Sequence, residues 1–316
     1  MLSGKTFLIT GSTGRLGSDI VPRLEEFGAT VLPVVLDGYP HEPKRVKWKA
    51  KSNPIIVNDT DDLDELQIPD YVINFHWRVD RTLPFAKQFL YELDYNIHHT
   101  ASLWEWLANK PVQRFINISS TKVFSHLNQN PILAETEPRP VSPYGIAKLA
   151  AEKFLDAHFR DSGFPMIHLR LSTVASFGEH PSHLVSKLCA SAFENRRITI
   201  NTGHTSYIIY IDEVVDLIIN AAFAADKRRY IVATSGLTTD QIALKFEQIT
   251  GHKINADYID LEPGIIDPIF VSDIQSLRTD WTRCTSLEST IKKIADLHHH
   301  SSNQSCVSKI SARTIS

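Results

Sequence analysis

The chain has 316 residues, 42% of them apolar and 22% charged, with a formal net charge of −3. These values exclude a disordered, collagen-like or coiled-coil bulk, and they leave no electrostatic footprint for nucleic acid or an anionic membrane. Three cysteines, Cys189, Cys284 and Cys306, lie far apart without a CxxC pair, as a reducing compartment favours. The start, MLSGKTFLITGS, lacks the charged and long apolar regions of a signal peptide. The longest apolar-rich stretch, 214–225, is too short for a bilayer. The expectation is a soluble cytoplasmic protein acting on a small molecule, with no nucleic-acid or membrane partner.

Residues 5–10 (KTFLIT) form an apolar run that ends at glycine and predicts a buried strand. A glycine-rich turn follows. Leu16, Ile20, Leu24 and Phe27 then recur at helical spacing until Gly28. Residues 30–36 (TVLPVVL) predict a second strand, in which Pro33 suits only an edge or a bulge. Further strands are predicted at 54–58, 71–75, 114–119 and 166–173, with helices at 61–66 and 141–159. Such alternation implies a parallel sheet with helices on both faces. After about residue 175 the texture changes. A strand is predicted at 206–211, a helix at 212–225 with Asp212 as N-cap, a strand at 230–233 and a helix at 240–250 ended by Gly251. The Ser-rich end from His298, with His298, His299 and His300, reads as a solvated tail, and no metal site is expected.

The turn at Gly11, Gly14 and Gly17 has the spacing GxxGxxG between a predicted strand and helix. A pyrophosphate approaches backbone N–H groups only where no Cβ intrudes, and a helix N-terminus adds donors and partial positive charge. Thr13, Arg15 and Leu16 lie in the same turn. Asp37, 20 residues past Gly17, suits the adenine ribose hydroxyls of NAD. Arg15, Lys44 and Arg45 would instead meet the 2′-phosphate of NADP; the balance favours NAD. Asp59 is a candidate for the adenine edge or for a helix N-cap.

Tyr144 and Lys148 stand at i and i+4 on one helix face. A free tyrosine, with a pKa of about 10, is a poor acid–base group at neutral pH. A lysine ammonium beside it favours the phenolate. Ser120, at a strand end 24 residues earlier, supplies a hydroxyl for the same substrate oxygen. The three together are suited to proton transfer coupled to hydride exchange with a nicotinamide.

With these motifs in place, the chain resembles the extended short-chain dehydrogenase/reductases, the NAD-dependent epimerase/dehydratase family, over about residues 4–297. PVSPYGIAK, LRLSTV at 169–174 and YIIYIDEVVDLI at 207–218 add to the resemblance. It implies an α/β fold: a Rossmann-type doubly wound parallel sheet over 1–175, rejoined by segments within 205–235. A smaller C-terminal α/β substrate domain over 176–297 and a mobile tail over 298–316 would follow. It also implies catalysis by Ser120, Tyr144 and Lys148, and cofactor contacts from Phe75, His76 and Ser172. Asn96 would support Lys148 through water. A homodimer would form through the helices holding 96–108 and 144–159, where Trp104, Trp106 and Leu107 suit core or interface equally.

The sequence also departs from that family. Bulky Phe75, His76 and Trp77 follow the fourth strand, where small residues are usual. Thr121 and Lys122 replace the Asp-Glu pair of sugar-nucleotide 4,6-dehydratases. Ser206 stands where nucleotide-sugar enzymes often carry a diphosphate-clamping arginine, and 263–267 has none. Trp77, Arg78, Thr121, Thr173 and Lys187 are candidate substrate contacts, with Arg196 or Arg197 as further substitutes for the clamp. Three readings remain open: an epimerase or reductase of a nucleotide sugar, a reductase of a polyketide or aromatic ketone, and a non-catalytic dinucleotide-binding protein.

Overall fold

The computed structural model describes residues 2–36, 50–57, 60–162, 164–176, 183–224, 228–234, 236–260, 267–278 and 285–297. In chain order the strands and helices are β1 (Thr6–Thr10), α1 (Gly17–Glu26), β2 (Thr30–Leu36), β3 (Ile55–Val57), β4 (Tyr71–Asn74), α2 (Phe85–Leu107), β5 (Arg114–Ser120), α3 (Pro143–Ser162), β6 (Met166–Leu171), β7 (Thr173–Ala175), α4 (Leu184–Glu194), β8 (Ile198–Thr202), β9 (Thr205–Ser206), β10 (Ile208–Tyr210), α5 (Ile211–Ala224), β11 (Arg229–Val232), β12 (Leu237–Thr238), α6 (Thr239–Thr250), β13 (Ala256–Asp260), α7 (Ile274–Leu277) and α8 (287–297). They divide between two compact units. One comprises Met1–Ser172, Asp212–Thr234 and Pro268–Arg283; the other comprises Thr173–Ile211, Ser235–Asp267 and Cys284–Ser316.

The first unit is built on a seven-stranded sheet in the order β3-β2-β1-β4-β5-β6-β11. Every pairing in it is parallel. The order reverses between β1 and β4, and in such sheets ligands bind outside the carboxyl ends at that switch point. Successive side chains of β1 serve opposite faces. Leu8 joins a core with Val34, Val72 and Phe115, closed by Leu103, Trp104, Trp106 and Leu107 of α2 and Leu155 of α3. Phe7 stacks on Tyr71, which meets Phe223 of α5 on the other face. There Arg23 of α1 also pairs with the fully buried Asp216 at 3.3 Å. Trp104, Trp106 and Leu107 are therefore core residues of their own chain.

A row of polar side chains crosses the sheet in register: Thr10, Asn74, Asn117, His168 and Arg229. Thr10 donates to Asn74 at 2.7 Å, Asn74 donates to Asn117 at 3.4 Å, and the Asn117 amide meets His168 Nδ1 at 3.0 Å. Asp156 of α3 faces His168 and takes Arg229 as a further partner. Slipping any one strand would leave several of these buried groups unpaired, so the row pins the register. It thereby aligns the strand ends that carry Gly11 and Ser120.

Pro33 keeps the edge position the sequence asks for, while several other elements differ from expectation. Pro33 sits in β2 between β1 and β3, yet β3 pairs only with Val34–Leu36, so β2 is still an edge at Pro33. The 206–211 run breaks into β9 and β10. β10 pairs with β7 in a separate two-stranded sheet, and only β11 rejoins the large sheet. Asp212 lies inside the first turn of α5 instead of capping it. The 61–66 helix is a 3₁₀ turn, Thr60–Glu65.

In the second unit β8 pairs with β13 and β9 with β12. Thr238 caps α6 through a capping box with Gln241, and Gly251 ends it at φ 72°. Phe193 of α4 packs edge-on against Phe246 of α6. Among the described residues no helix is long and apolar enough to cross a membrane.

Candidate active site

The glycine turn needs its glycines for close approach. A Cβ on Gly17 would lie 2.3 Å from the Gly11 carbonyl oxygen and 2.7 Å from Ser12 Cα. Gly11 has φ +63°, and a Cβ there would come within 2.9 Å of the His76 backbone nitrogen. The loop after β4 is thus laid against the glycine turn. Ser12 is buried and binds the Val34 carbonyl through both N and Oγ. No side chain caps the N-terminus of α1.

Two strand ends, those of β4 and β5, and one helix, α3, bring the catalytic candidates together. Ser120 ends β5 and accepts a hydrogen bond from Lys122 N at 3.2 Å. Tyr144 and Lys148 come one turn apart from the start of α3. The Tyr144 hydroxyl is bonded to Ser120. Lys148 is buried, and its Nζ donates to the Ile118 carbonyl at 2.8 Å. Trp77 completes the group: its ring lies 3.7 Å from Lys148 Nζ and meets the Tyr144 ring edge-on, centroids 6.2 Å apart.

The electrostatics reverse the order expected from the sequence. Burial pushes the Tyr144 phenol up, and the Glu92 charge adds to this. The Ser120 hydrogen bond and the charges of Arg81 and Arg15 oppose it. Burial pushes Lys148 down to about 7, against the charges of Glu152 and Glu92. Lys148 therefore loses its proton before Tyr144 does, because burial penalises both charged forms. Its ammonium meets the Ile118 carbonyl and the Trp77 face, with Nζ 5.9 Å from the Tyr144 ring centre.

The neighbouring Ser119 has a different task. It donates to Glu152 at 2.5 Å, and Arg170 holds the same carboxylate at 3.0 and 2.7 Å. That buried group braces β5, α3 and β6 behind the site.

The other sequence candidates are placed as follows. His76 turns toward α2, stacking on His99 at 4.8 Å and meeting Tyr95 at 5.4 Å. Arg78 lays its guanidinium 4.0 Å over Tyr95. The Asn96 amide holds the Arg78 backbone, accepting from its N at 2.7 Å and donating to its O at 2.9 Å. It also donates to the Glu92 carbonyl. Thr121 points its hydroxyl at the Leu171 carbonyl, 3.4 Å away. Phe75 is half-buried and bonds Thr10 through its backbone. Thr13, Arg15 and Leu16 are half-buried in the glycine turn. Ser172 has a buried Oγ without a hydrogen-bond partner. Thr173 and Lys187 belong to the second unit. Asp37, Asp59, Lys44 and Arg45 lie outside the described residues.

One residue of the site is missing from the sequence reading: Glu92 of α2, fully buried and acting on both Tyr144 and Lys148. Glu92, Asn96 and Thr100 follow at helical spacing and are all buried. Three polar residues along the buried stripe of a helix are the signal that could have found it.

A dinucleotide fits these residues. The glycine cradle would hold a pyrophosphate against the uncapped start of α1, and the orphaned Ser172 hydroxyl awaits a polar partner.

Residues 7–233 match the NAD dependent epimerase/dehydratase family. The chain is similar to the dTDP-D-glucose 4,6-dehydratase of Bos taurus, 25% identical over 225 residues covering 67% of this chain and 63% of that protein. Across the first such relatives it spans about three fifths of their length. Among solved structures it is similar to the UDP-glucose 4-epimerase of Thermotoga maritima with UDP-glucose, at 22% identity and a TM-score of 0.77, covering 94% of this chain and 99% of that one. It is also similar to a UDP-glucose-4-epimerase from Stenotrophomonas maltophila with bound NAD and formylated UDP-arabinopyranose, at 20% identity and a TM-score of 0.79, covering 95% and 99%.

Proposed function

Because the chain belongs to the NAD-dependent epimerase/dehydratase family, we propose that it exchanges hydride at a secondary alcohol or ketone of a nucleotide sugar. The observation that carries this is the meeting of Ser120, Tyr144 and Lys148 beside the glycine turn. The nucleotide-sugar names of its relatives and structural neighbours support the substrate class.

Gly11, Thr13, Gly14, Arg15, Leu16 and Gly17 would hold the pyrophosphate, with Phe75, the His76 backbone and Ser172 along the rest of the dinucleotide, while Asn96 holds the loop at Arg78. Asp37 and Asp59 would take the adenosine end, in favour of NAD. Bound NAD would accept and return hydride. Tyr144 Oη takes or returns the proton of the substrate hydroxyl, and Ser120 Oγ hydrogen-bonds the same oxygen. Lys148 supplies positive charge next to the phenol.

The reaction is an epimerisation or a keto reduction. Eliminating water needs a second acid–base pair, whereas the Thr121 hydroxyl is turned to the Leu171 carbonyl and Lys122 is exposed. The first unit holds the cofactor; the second, with Thr173 and Lys187, serves the sugar. The enzyme works in the cytoplasm as a homodimer.

The test is denaturing release of cofactor from freshly purified protein, followed by assay with UDP-glucose and UDP-galactose. Stoichiometric NAD with interconversion supports an epimerase. An empty protein that prefers NADPH and reduces a keto sugar supports a reductase. No thermal shift with any nucleoside diphosphate would overturn the nucleotide-sugar reading in favour of a simpler carbonyl substrate.

A further inference from the structure

We propose that Trp77 is a positioning residue that screens Lys148 from the ligand: the indole covers the ammonium, turns it to the Ile118 carbonyl and leaves it to act on Tyr144 through charge, with no bond of its own to the dinucleotide. The ligand side of this statement rests on the function proposed above; the screen itself does not.

The backbone fixes where Trp77 can go. Phe75 N donates to the Thr10 carbonyl at 3.2 Å and ties the loop to the end of β1. Three residues on, the Asn96 amide grips both polar groups of the Arg78 backbone, at 2.7 and 2.9 Å. His76 and Trp77 lie between these two ties and send their rings to different helices. His76 goes to Tyr95 and His99 of α2. Trp77 goes to α3, where it makes a T-shaped contact with Tyr144 and covers Lys148. Its indole N–H is buried and acts on the Glu92 carboxylate of α2. The ring is thus held from both helices and forms a fixed wall.

That wall stands where Lys148 would otherwise meet a ligand. An ammonium has three donors. Nζ gives one to the Ile118 carbonyl at 2.8 Å, and the ring centre of Trp77 lies 3.7 Å from it. A ring face attracts a cation but offers no oxygen, so it replaces water without presenting the ammonium to anything else. Lys148 is accordingly buried, while Tyr144, one turn earlier on α3, is half-buried and stays open to a substrate oxygen. A small side chain at position 77 would leave Nζ open as well. The sequence motif of Tyr144 and Lys148 is therefore intact, but only the tyrosine is presented.

The experiment begins without cofactor or substrate. The full chain is treated with formaldehyde and cyanoborohydride, and methylation of each lysine is followed by peptide mass spectrometry. Lys153, exposed on the same helix, is the internal standard. In the native chain Lys148 is expected to react far more slowly than Lys153. Trp77→Ala should speed Lys148 by about tenfold or more, the scale of losing a desolvated ring face, with Lys153 unchanged. Trp77→Phe keeps a ring face and should stay near the native rate. An unchanged Lys148 rate in Trp77→Ala overturns the screen; if that variant does not fold, an unchanged rate in Trp77→Leu does so. Calorimetric titration with NAD then compares the native chain with Lys148→Met. With no bond from Lys148 the Kd should hold; a loss of about tenfold or more is the worth of one charge-assisted bond and overturns the proposal. If the native chain does not bind NAD at all, the proposed function fails, and the methylation rates still decide the screen by themselves.

Discussion

The ammonium of Lys148 lies 3.7 Å from the centre of the Trp77 ring, which makes a T-shaped contact with the Tyr144 ring. A ring face attracts a desolvated cation by about 2 kcal/mol. Trp77 thus replaces part of the water that burial strips from Lys148. Trp77→Leu is expected to lower kcat at pH 7 by about tenfold, through a smaller ammonium fraction. Its melting temperature should stay within a few degrees of native, because Trp77 is only half-buried. Steady-state kinetics and thermal melts on the same preparation check both halves.

Tyr144→Phe removes only the phenolic oxygen, which is bonded to Ser120. Turnover should fall by at least about 10²-fold, the usual scale for losing an acid–base group, with cofactor affinity nearly unchanged. Titrating NAD binding calorimetrically beside the kinetics separates the two. Full activity in the variant would remove the proposed chemistry.

Lys148 gives stability a pH dependence. Its folded pKa, about 7, lies below the ordinary 10.5. Between these values the unfolded chain holds a proton that the folded chain has lost, so stability rises with pH across the window. Below pH 7 the penalty is fully present, at about 1.4 kcal/mol per pKa unit. Lys148→Met removes it while losing one bond to Ile118. The variant should therefore be more stable than the native chain at pH 6, with the gain shrinking by pH 10. Urea unfolding at both pH values measures this.

Glu152 shows the opposite behaviour. Burial alone would raise its pKa, but the Arg170 and Ser119 bonds and the His168 charge prevail and lower it. Its contribution is present above the ordinary carboxyl pKa and is lost as pH falls through the folded value. Glu152→Gln leaves Arg170 buried without its counter-charge. The expected loss is about 3–5 kcal/mol at pH 7, narrowing in acid. Denaturant midpoints at pH 7 and pH 4 decide it.

Gly17→Ala places a methyl 2.3 Å from the Gly11 carbonyl oxygen, a backbone atom that cannot rotate aside. Strand and helix must separate, at about 1–3 kcal/mol for overpacking. Dinucleotide affinity should fall with the melting temperature. Normal affinity in a folded variant would take the pyrophosphate away from this turn.

What could be read along the chain was whatever repeats at short range. Apolar runs marked β1, β4, β5 and β6, the glycine spacing marked the turn before α1, and Tyr144 and Lys148 declared themselves one helical turn apart. Residues far apart in sequence kept their meaning hidden. The row from Thr10 to Arg229 exists only once five strands are in register. Ser119 and Ser120 look equivalent as letters; the pleat sends one to Glu152 and the other to Tyr144. His76 turned to His99, Trp77 took the place beside Lys148, and Glu92 entered the site from a helix read only for Asn96 and its tryptophans. The same holds for the protonation order. A lysine beside a tyrosine promises an activated phenol in water, but burial acts on both groups at once, and burial is set by the whole fold.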